Sequence, residues 1–250
     1  MRTTMTWLRR IALVIALLII GPLAFAAGET MTGRGDWRTA ERGSAGIAPL
    51  PDAHSDAVVQ VYGARTVRWR GIFAVHCWIA VKPKGATEYT TYEKIGWRAR
   101  YGGSAMAVHN NGPDNRWFGA LPELYADLRG EAAERAIPKI EAAVADYPYG
   151  EGYHTWPGPN SNSFVAYVAR RVPELAVDLP PTAIGKDYLI DSMFFGGAPS
   201  GTGFQFSLFG LFGFTLALEE GLEINLLTLN FGVDPKSLAL RLPGLGKVGF

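Results

Sequence analysis

Ten consecutive aliphatic or alanine residues, Ile11 to Ile20, follow Trp7, Arg9 and Arg10, and no charge appears until Glu29. A run of this kind commits one end of the chain to a membrane or to an export channel. The positive flank, the apolar centre and the small-residue exit Ala24, Phe25, Ala26 match a secretory signal with an A-x-A cleavage site, and Gly21 and Pro22 suit the end of a signal core. The uncharged stretch Ile11 to Gly28 also reaches the lower limit of a spanning helix, which needs roughly 20 apolar residues. A retained anchor therefore fits as well as a cleaved signal. In both cases Arg2, Arg9 and Arg10 stay cytoplasmic, and the expected location is the inner membrane facing the periplasm, or the periplasm itself after cleavage.

Without residues 1–27, about 220 residues remain, enough for one large domain with its own core. Lys and Arg number 24 against 23 Asp and Glu, a formal net charge of +1, and no basic block lies beyond the N-terminal flank. That leaves no electrostatic footprint for a nucleic acid. The single Cys77 has no internal disulfide partner. Neither C-x-x-C nor H-E-x-x-H spacing occurs, so no metal and no cofactor are expected.

Residues 28–56 are charged, glycine-containing and turn-rich around Pro49, Pro51 and Asp52, and read as a linker. The domain proper is expected over 57–195. Val58–Tyr62 and Gly71–Lys82 are dense in Val, Ile, Phe and Trp, and the second run ends at Pro83 with a Lys84, Gly85 turn. Glu88–Arg100 alternates Tyr89, Thr91, Glu93, Ile95 and Trp97 with its neighbours, which predicts a hairpin with Gly71–Lys82. Glu131–Tyr147 has helical spacing that Pro138 kinks or divides. A second helix follows Pro157, Gly158, Pro159 and stops at Pro173. From 196 to 250 the chain turns apolar, with fifteen uncharged residues from Phe204 to Leu218, a Glu219, Glu220, Gly221 turn, and Leu222–Val233. Phe204, Phe206 and Leu208 alternate with Gln205 and Ser207, which favours strand. The segment reads as a long hairpin with two apolar faces, packed as core or turned to a membrane.

The most specific local signal for chemistry is WPGPNSNSF, Trp156 to Phe164, where a Pro/Gly-clamped loop delivers polar side chains to a helix start. Exposed N–H groups and the positive dipole end favour a nucleophile or oxyanion there. The same residues, Asn160, Ser161, Asn162 and Ser163, are equally good N-caps. Cys77 adjoins His76 and should point to the opposite face of its strand as core filling. His54, His109 and His154 fall in expected loops. Trp69, Trp78, Trp97, Trp117 and Trp156 could line a groove for an apolar or sugar ligand, or simply pack the core.

Two resemblances rest on these residues. NSNSF opening a helix, His76 beginning HCWIAV, and Glu93 on the next strand resemble the order His, polar orienter, nucleophile of circularly permuted papain-like hydrolases, the permuted NlpC/P60 and lecithin-retinol-acyltransferase-like groups. That likeness covers roughly residues 70–170 and implies an α+β fold in which helices pack an antiparallel sheet. It puts Ser161 at the family's Cys position, with His76 as base and Glu93 as orienter; separately, the helix-start position alone makes Asn160 or the amide of Asn162 an expected oxyanion donor, with Trp156 lining the cleft. A serine needs an adjacent base to remove its proton, so the trio would take Ser, His and acid roles. The whole chain resembles more closely a bacterial family of unknown function, DUF3750, from VVQVYGARTVRWRGIFAVH through PPTAIGKDYL to the apolar tail. The expected function is an envelope hydrolase or acyltransferase acting on peptide, amide or ester bonds. The alternative is a non-catalytic membrane-anchored protein that binds peptidoglycan fragments, lipid or a membrane partner.

Overall fold

A computed structural model describes residues 2–32 and 38–249. Positions 33–37 of the expected linker lie outside the described residues. The apolar N-terminus forms one helix, α1 (Arg2–Thr32), with Pro22 inside it, and its Met5–Gly28 stretch is long and apolar enough to cross a membrane. A signal sequence meets the same criterion.

Two antiparallel sheets follow. The first has the order β4-β3-β2-β1-β5, built from β1 (Val58–Arg65), β2 (Val75–Lys82), β3 (Thr90–Lys94), β4 (Met106–His109) and β5 (Glu123–Arg129). The expected pairing of the second and third apolar runs forms, with Trp78 opposite Glu93 and Val81 opposite Thr90. It ends sooner than the alternation suggests, because Gly96–Arg100 winds into a short helix, α2. The helix expected around 131–147 is α3 (Glu131–Ala145), which runs unbroken through Pro138, and the second is α4 (Ser161–Arg171), which ends before Pro173.

Side-chain alternation sorts the first sheet into two faces. Val75, Cys77, Ile79 and Val81 of β2 join Val59 and Val61 of β1, Ala133, Ile137 and Ile140 of α3, and Phe164, Val165 and Val168 of α4 in the main core. His76, Trp78 and Ala80 point the other way, where Val58, Tyr62, Tyr89 and Ala120 form a smaller cluster. A short part of the expected linker covers that cluster. Ile47 and Ala48 pack against it. Asp114 accepts from the backbone N–H groups of both, at 2.6 and 3.1 Å, and from Ser44 Oγ at 2.8 Å.

The C-terminal region contains more than the expected hairpin. It is a seven-stranded meander, β6 (Phe195–Gly197), β7 (Gly203–Leu208), β8 (Phe212–Ala217), β9 (Gly221–Leu226), β10 (Leu229–Asp234), β11 (Ala239–Leu242) and β12 (Gly246–Gly249), each strand paired with the next. Its faces are unlike. Gln205, Ser207, Thr215, Glu223, Asn225, Asn230 and Arg241 are buried against the rest of the molecule. The intervening Phe204, Leu208, Phe212, Phe214, Leu216, Leu222 and Ile224 are exposed.

Candidate functional site

Glu93 occupies the middle of the first sheet's second face. His76 reaches it from β2, where Trp78 is its cross-strand partner, and His109 reaches it from β4, where Ala107 is. The three residues are therefore diagonal neighbours on one side of three adjacent strands. His76 Nε2 lies 2.7 Å from Glu93 Oε2, and His109 Nε2 lies 2.7 Å from Glu93 Oε1. A carboxylate only accepts, so each imidazole presents a proton at Nε2. The Asn111 backbone N–H donates to His109 Nδ1 at 3.3 Å, which a neutral ring protonated at Nε2 satisfies at both nitrogens.

Electrostatics follow from that geometry. Burial alone would raise the pKa of Glu93, but the hydrogen bonds from His109 and His76 outweigh it and hold the carboxyl down to about 2. Burial raises the Cys77 thiol on the opposite face, which leaves it a packed, unreactive side chain, as its place beside an apolar helix requires.

Aromatic rings frame the unit. Trp117 stacks on His76 with ring centres 3.8 Å apart, Trp97 stacks on Trp117 at 5.5 Å, and Trp78 lies 5.9 Å from His76. Trp117 is fixed by reciprocal backbone hydrogen bonds with Ala120, 3.0 and 3.1 Å, across a turn through Phe118 and Gly119. Trp78 Nε1 donates to the Pro113 carbonyl at 2.7 Å. In front of the rings opens a cleft of about 350 Å³, into which Glu93, His109, Trp97 and Trp117 face alongside Arg42, Arg98 and Arg116. Arg42 covers the Phe118 ring at 4.3 Å, and Arg116 pairs with Glu41 at 3.0 Å. Thr91, directly opposite His109 across the β3–β4 ladder, lines the same cleft with a buried hydroxyl that has no protein partner.

The structure brings together two of the three residues expected to form a catalytic trio. His76 and Glu93 meet as anticipated. Ser161 begins α4, which packs on the Cys77 face of β2, the face opposite the one His76 occupies. Ser161 is buried and neighbours Tyr153, whose hydroxyl burial raises and Ser161 partly brings back. The flanking asparagines work on the fold. Asn160 caps α4, accepting from the Asn162 and Ser163 N–H groups at 2.9 and 3.1 Å, and Ser163 returns the bond to complete a capping box. Asn162 Nδ2 donates to the Val75 and Ile184 carbonyls at 3.0 and 2.8 Å. Trp156 lies outside the cleft and donates from Nε1 to Thr228 Oγ1 at 2.8 Å, tying its loop to the second sheet.

His109 was expected in a loop without partners, and it is instead the second imidazole of the site. Met106–His109 is too short to register as a strand on periodicity alone. The readable signal was a histidine able to face Glu93 from the next strand. Among the described residues no group of three or more His, Cys, Asp or Glu side chains is arranged to hold a metal ion.

The fold and site thus define an α+β protein in which helices pack one face of an antiparallel sheet and an imidazole–carboxylate–imidazole unit occupies the other. Over residues 56–188 the chain matches the family described as protein of unknown function, DUF3750, and it belongs to that family. No curated protein and no solved structure matches it.

Proposed function

We propose that this is a membrane-tethered, extracytoplasmic binding protein whose cleft takes a compact ligand with an anionic group and a flat apolar face, of which an acidic sugar of the cell envelope is the best-suited class. The observation that carries this reading is the run of stacked rings Trp97, Trp117, His76 and Trp78 behind an open cleft that Arg42, Arg98 and Arg116 share. Flat aromatic walls favour the apolar face of a sugar or ring, and guanidinium groups favour carboxylate or phosphate. Glu93 holds both imidazoles through its two oxygens, and the three guanidinium groups of the lining outnumber its single negative charge. An acyl transfer through Ser161 is the less favoured reading, because α4, which Ser161 begins, packs on the face of β2 opposite His76. Placement outside the cytoplasm rests on Arg2, Arg9 and Arg10 preceding the apolar run.

Binding is tested on the full chain in detergent by calorimetry with N-acetylmuramic acid, using neutral N-acetylglucosamine as control. The acidic sugar should bind saturably, and Trp97→Ala and Arg116→Ala should each weaken it by roughly tenfold. Equal binding of the neutral sugar, or no saturable binding of either, overturns the reading. A reporter enzyme fused to the C-terminus should be active only in its periplasm-dependent form.

A further inference from the structure

The second sheet carries its polarity inside out. Its cross-strand partners form continuous rows on the outer face: Phe195, Phe206, Phe214, Ile224 and Phe231 run across five strands. Phe204, Leu216, Leu222, Val233, Leu240 and Val248 run across six. Leu208, Phe212, Leu226 and Leu229 complete a third row. On the inner face the row Gln205, Thr215, Glu223 is buried, and its one charged member, Glu223, is paired. Glu223 takes Lys186 Nζ at 2.5 Å and Arg241 Nε at 2.8 Å, Arg241 also grips Asp178 at 2.6 Å, and Asn230 donates to Asp187 at 2.6 Å.

An exposed apolar patch of a few hundred Å² is ordinary, whereas one that covers a whole seven-stranded face has to be covered by something. What covers it is indicated by α1. Its C-terminal half meets the turn between β11 and β12 backbone to backbone: a Cβ on Gly21 would stand 2.0 Å from the Pro243 carbonyl oxygen, and one on Gly244 would stand 2.5 Å from the Pro22 nitrogen. Gly244 also has φ +73°, so glycine is required there both for space and for conformation. Arg65 closes the junction, donating to the Gly244 carbonyl at 2.7 Å with its guanidinium 4.0 Å above the Phe25 ring. The helix that enters the bilayer is therefore packed against the end of the sheet whose outer face is apolar. Exposed Trp69 lies beside the same junction, on the Arg68–Ile72 segment that α1 contacts, the kind of residue that settles at a membrane–water boundary.

We infer that the outer face of the second sheet lies flat on the lipid bilayer beside α1, as a monotopic platform sunk into the boundary between headgroups and acyl chains. Strands of six residues reach only about 20 Å, short of the 9–11 tilted residues that a spanning strand needs, so the sheet rests on the membrane instead of crossing it. Apolar burial of roughly this kind, to a depth of about 5–10 Å, is how interfacial elements bind. The platform also fixes the first sheet, and with it the cleft, at a set height over the lipid surface.

The inference rests on the tether in the proposed function, and the test separates the two. In the full chain reconstituted into phosphatidylethanolamine–phosphatidylglycerol vesicles, single cysteines replace Phe214, Leu222, Ile15 and Lys84 (F214C, L222C, I15C, K84C) and carry an environment-sensitive fluorophore. Cys77 is buried and stays unlabelled. Probes at 214, 222 and 15 should shift to the blue and be quenched several-fold more by spin-labelled lipid than by aqueous iodide, with the reverse at 84. Lipid quenching at 15 with iodide quenching at 214 and 222 overturns the platform and leaves the tether standing. Iodide quenching at 15 as well removes both. Protection of 214 and 222 from both quenchers, with self-quenching that grows with protein density, overturns the platform in favour of a second copy of the chain.

Discussion

On β2 of the first sheet, Val75, Cys77, Ile79 and Val81 face the helices, while His76 and Trp78 lie on the other face, where Trp78 lines the cleft and Trp117 stacks over His76. On β9 of the second sheet the assignment is exchanged: Glu223 and Asn225 are buried and Leu222 and Ile224 are exposed. Both strands alternate with the same period of two, and the period alone does not say which set goes inside. The first sheet is held by apolar contact with α3 and α4, a non-directional force that tolerates variation in detail. The second is held by a directional network in which Lys186, Arg241, Glu223, Asp178 and Asp187 satisfy one another. A buried network of that sort stabilises only when complete.

That contrast is broken most directly by removing one partner from the network. Glu223→Ala leaves Lys186 and Arg241 buried without their shared carboxylate, and should cost about 3–5 kcal/mol in urea unfolding of the full chain in detergent. A loss under about 1 kcal/mol would show that the inner face does not hold the sheet. In the first sheet Phe164→Ala opens the core between α4 and β2, and should cost about 3–4 kcal/mol. There a Phe164→Leu change should recover most of the loss, because volume rather than partner identity matters. No neutral replacement at 223 should do the same.

The parts of the fold that were legible in the sequence are those whose partners are apolar. α4 was bracketed by Pro157, Gly158 and Pro159 before it and Pro173 after it, and the β2–β3 pairing followed from two apolar runs around Pro83 and Gly85. The meeting of His76 and Glu93 was legible too. Their relation to Ser161 was not, although the four apolar residues Val75, Cys77, Ile79 and Val81 mark the helix-facing side of β2 and so put His76 on the other. The strands of the second sheet were legible, but neither their number nor the polar inner face was, because Phe204, Phe206 and Leu208 suit a core face as well as an outer one. Their polar neighbours point inward because α4 and the 178–187 segment offer charges in place of an apolar surface, with Arg170 Nη2 2.5 Å from Gln205 Oε1. Local sequence does not report the polarity of a distant partner.

The cleft offers a comparison within the first sheet, because its polar cluster is small where the second sheet's is extended. Glu93→Gln removes a carboxylate that two imidazoles share, and should cost about 2 kcal/mol near neutral pH. The folded carboxyl is depressed to about 2 from 4.5, so the folded state binds fewer protons than the unfolded state over that interval. Its stabilising contribution is complete above pH 4.5 and disappears as pH falls towards 2. Parent and Glu93→Gln stabilities should therefore converge across that window, as read from acid titrations followed by circular dichroism. A constant gap down to pH 2 would mean that the carboxylate is not held ionised by its histidines.

The smallest effect on stability is expected where the apolar rows are exposed. Leu222→Gln removes a large hydrophobe from β9 on the outer face and should change unfolding stability in detergent by no more than about 0.5 kcal/mol. Its neighbour Glu223, one residue along the same strand, sits at the other extreme. If Leu222→Gln proved as costly as Phe164→Ala, the outer face would be an ordinary core covered by protein. A near-silent Leu222→Gln beside a crippling Glu223→Ala would establish that the strand is built around its polar residues. Its apolar residues would then be free to face a second solvent, and in vesicles that same silent substitution should weaken the sheet's lipid contact, because the side chain it removes is one of six in a single row.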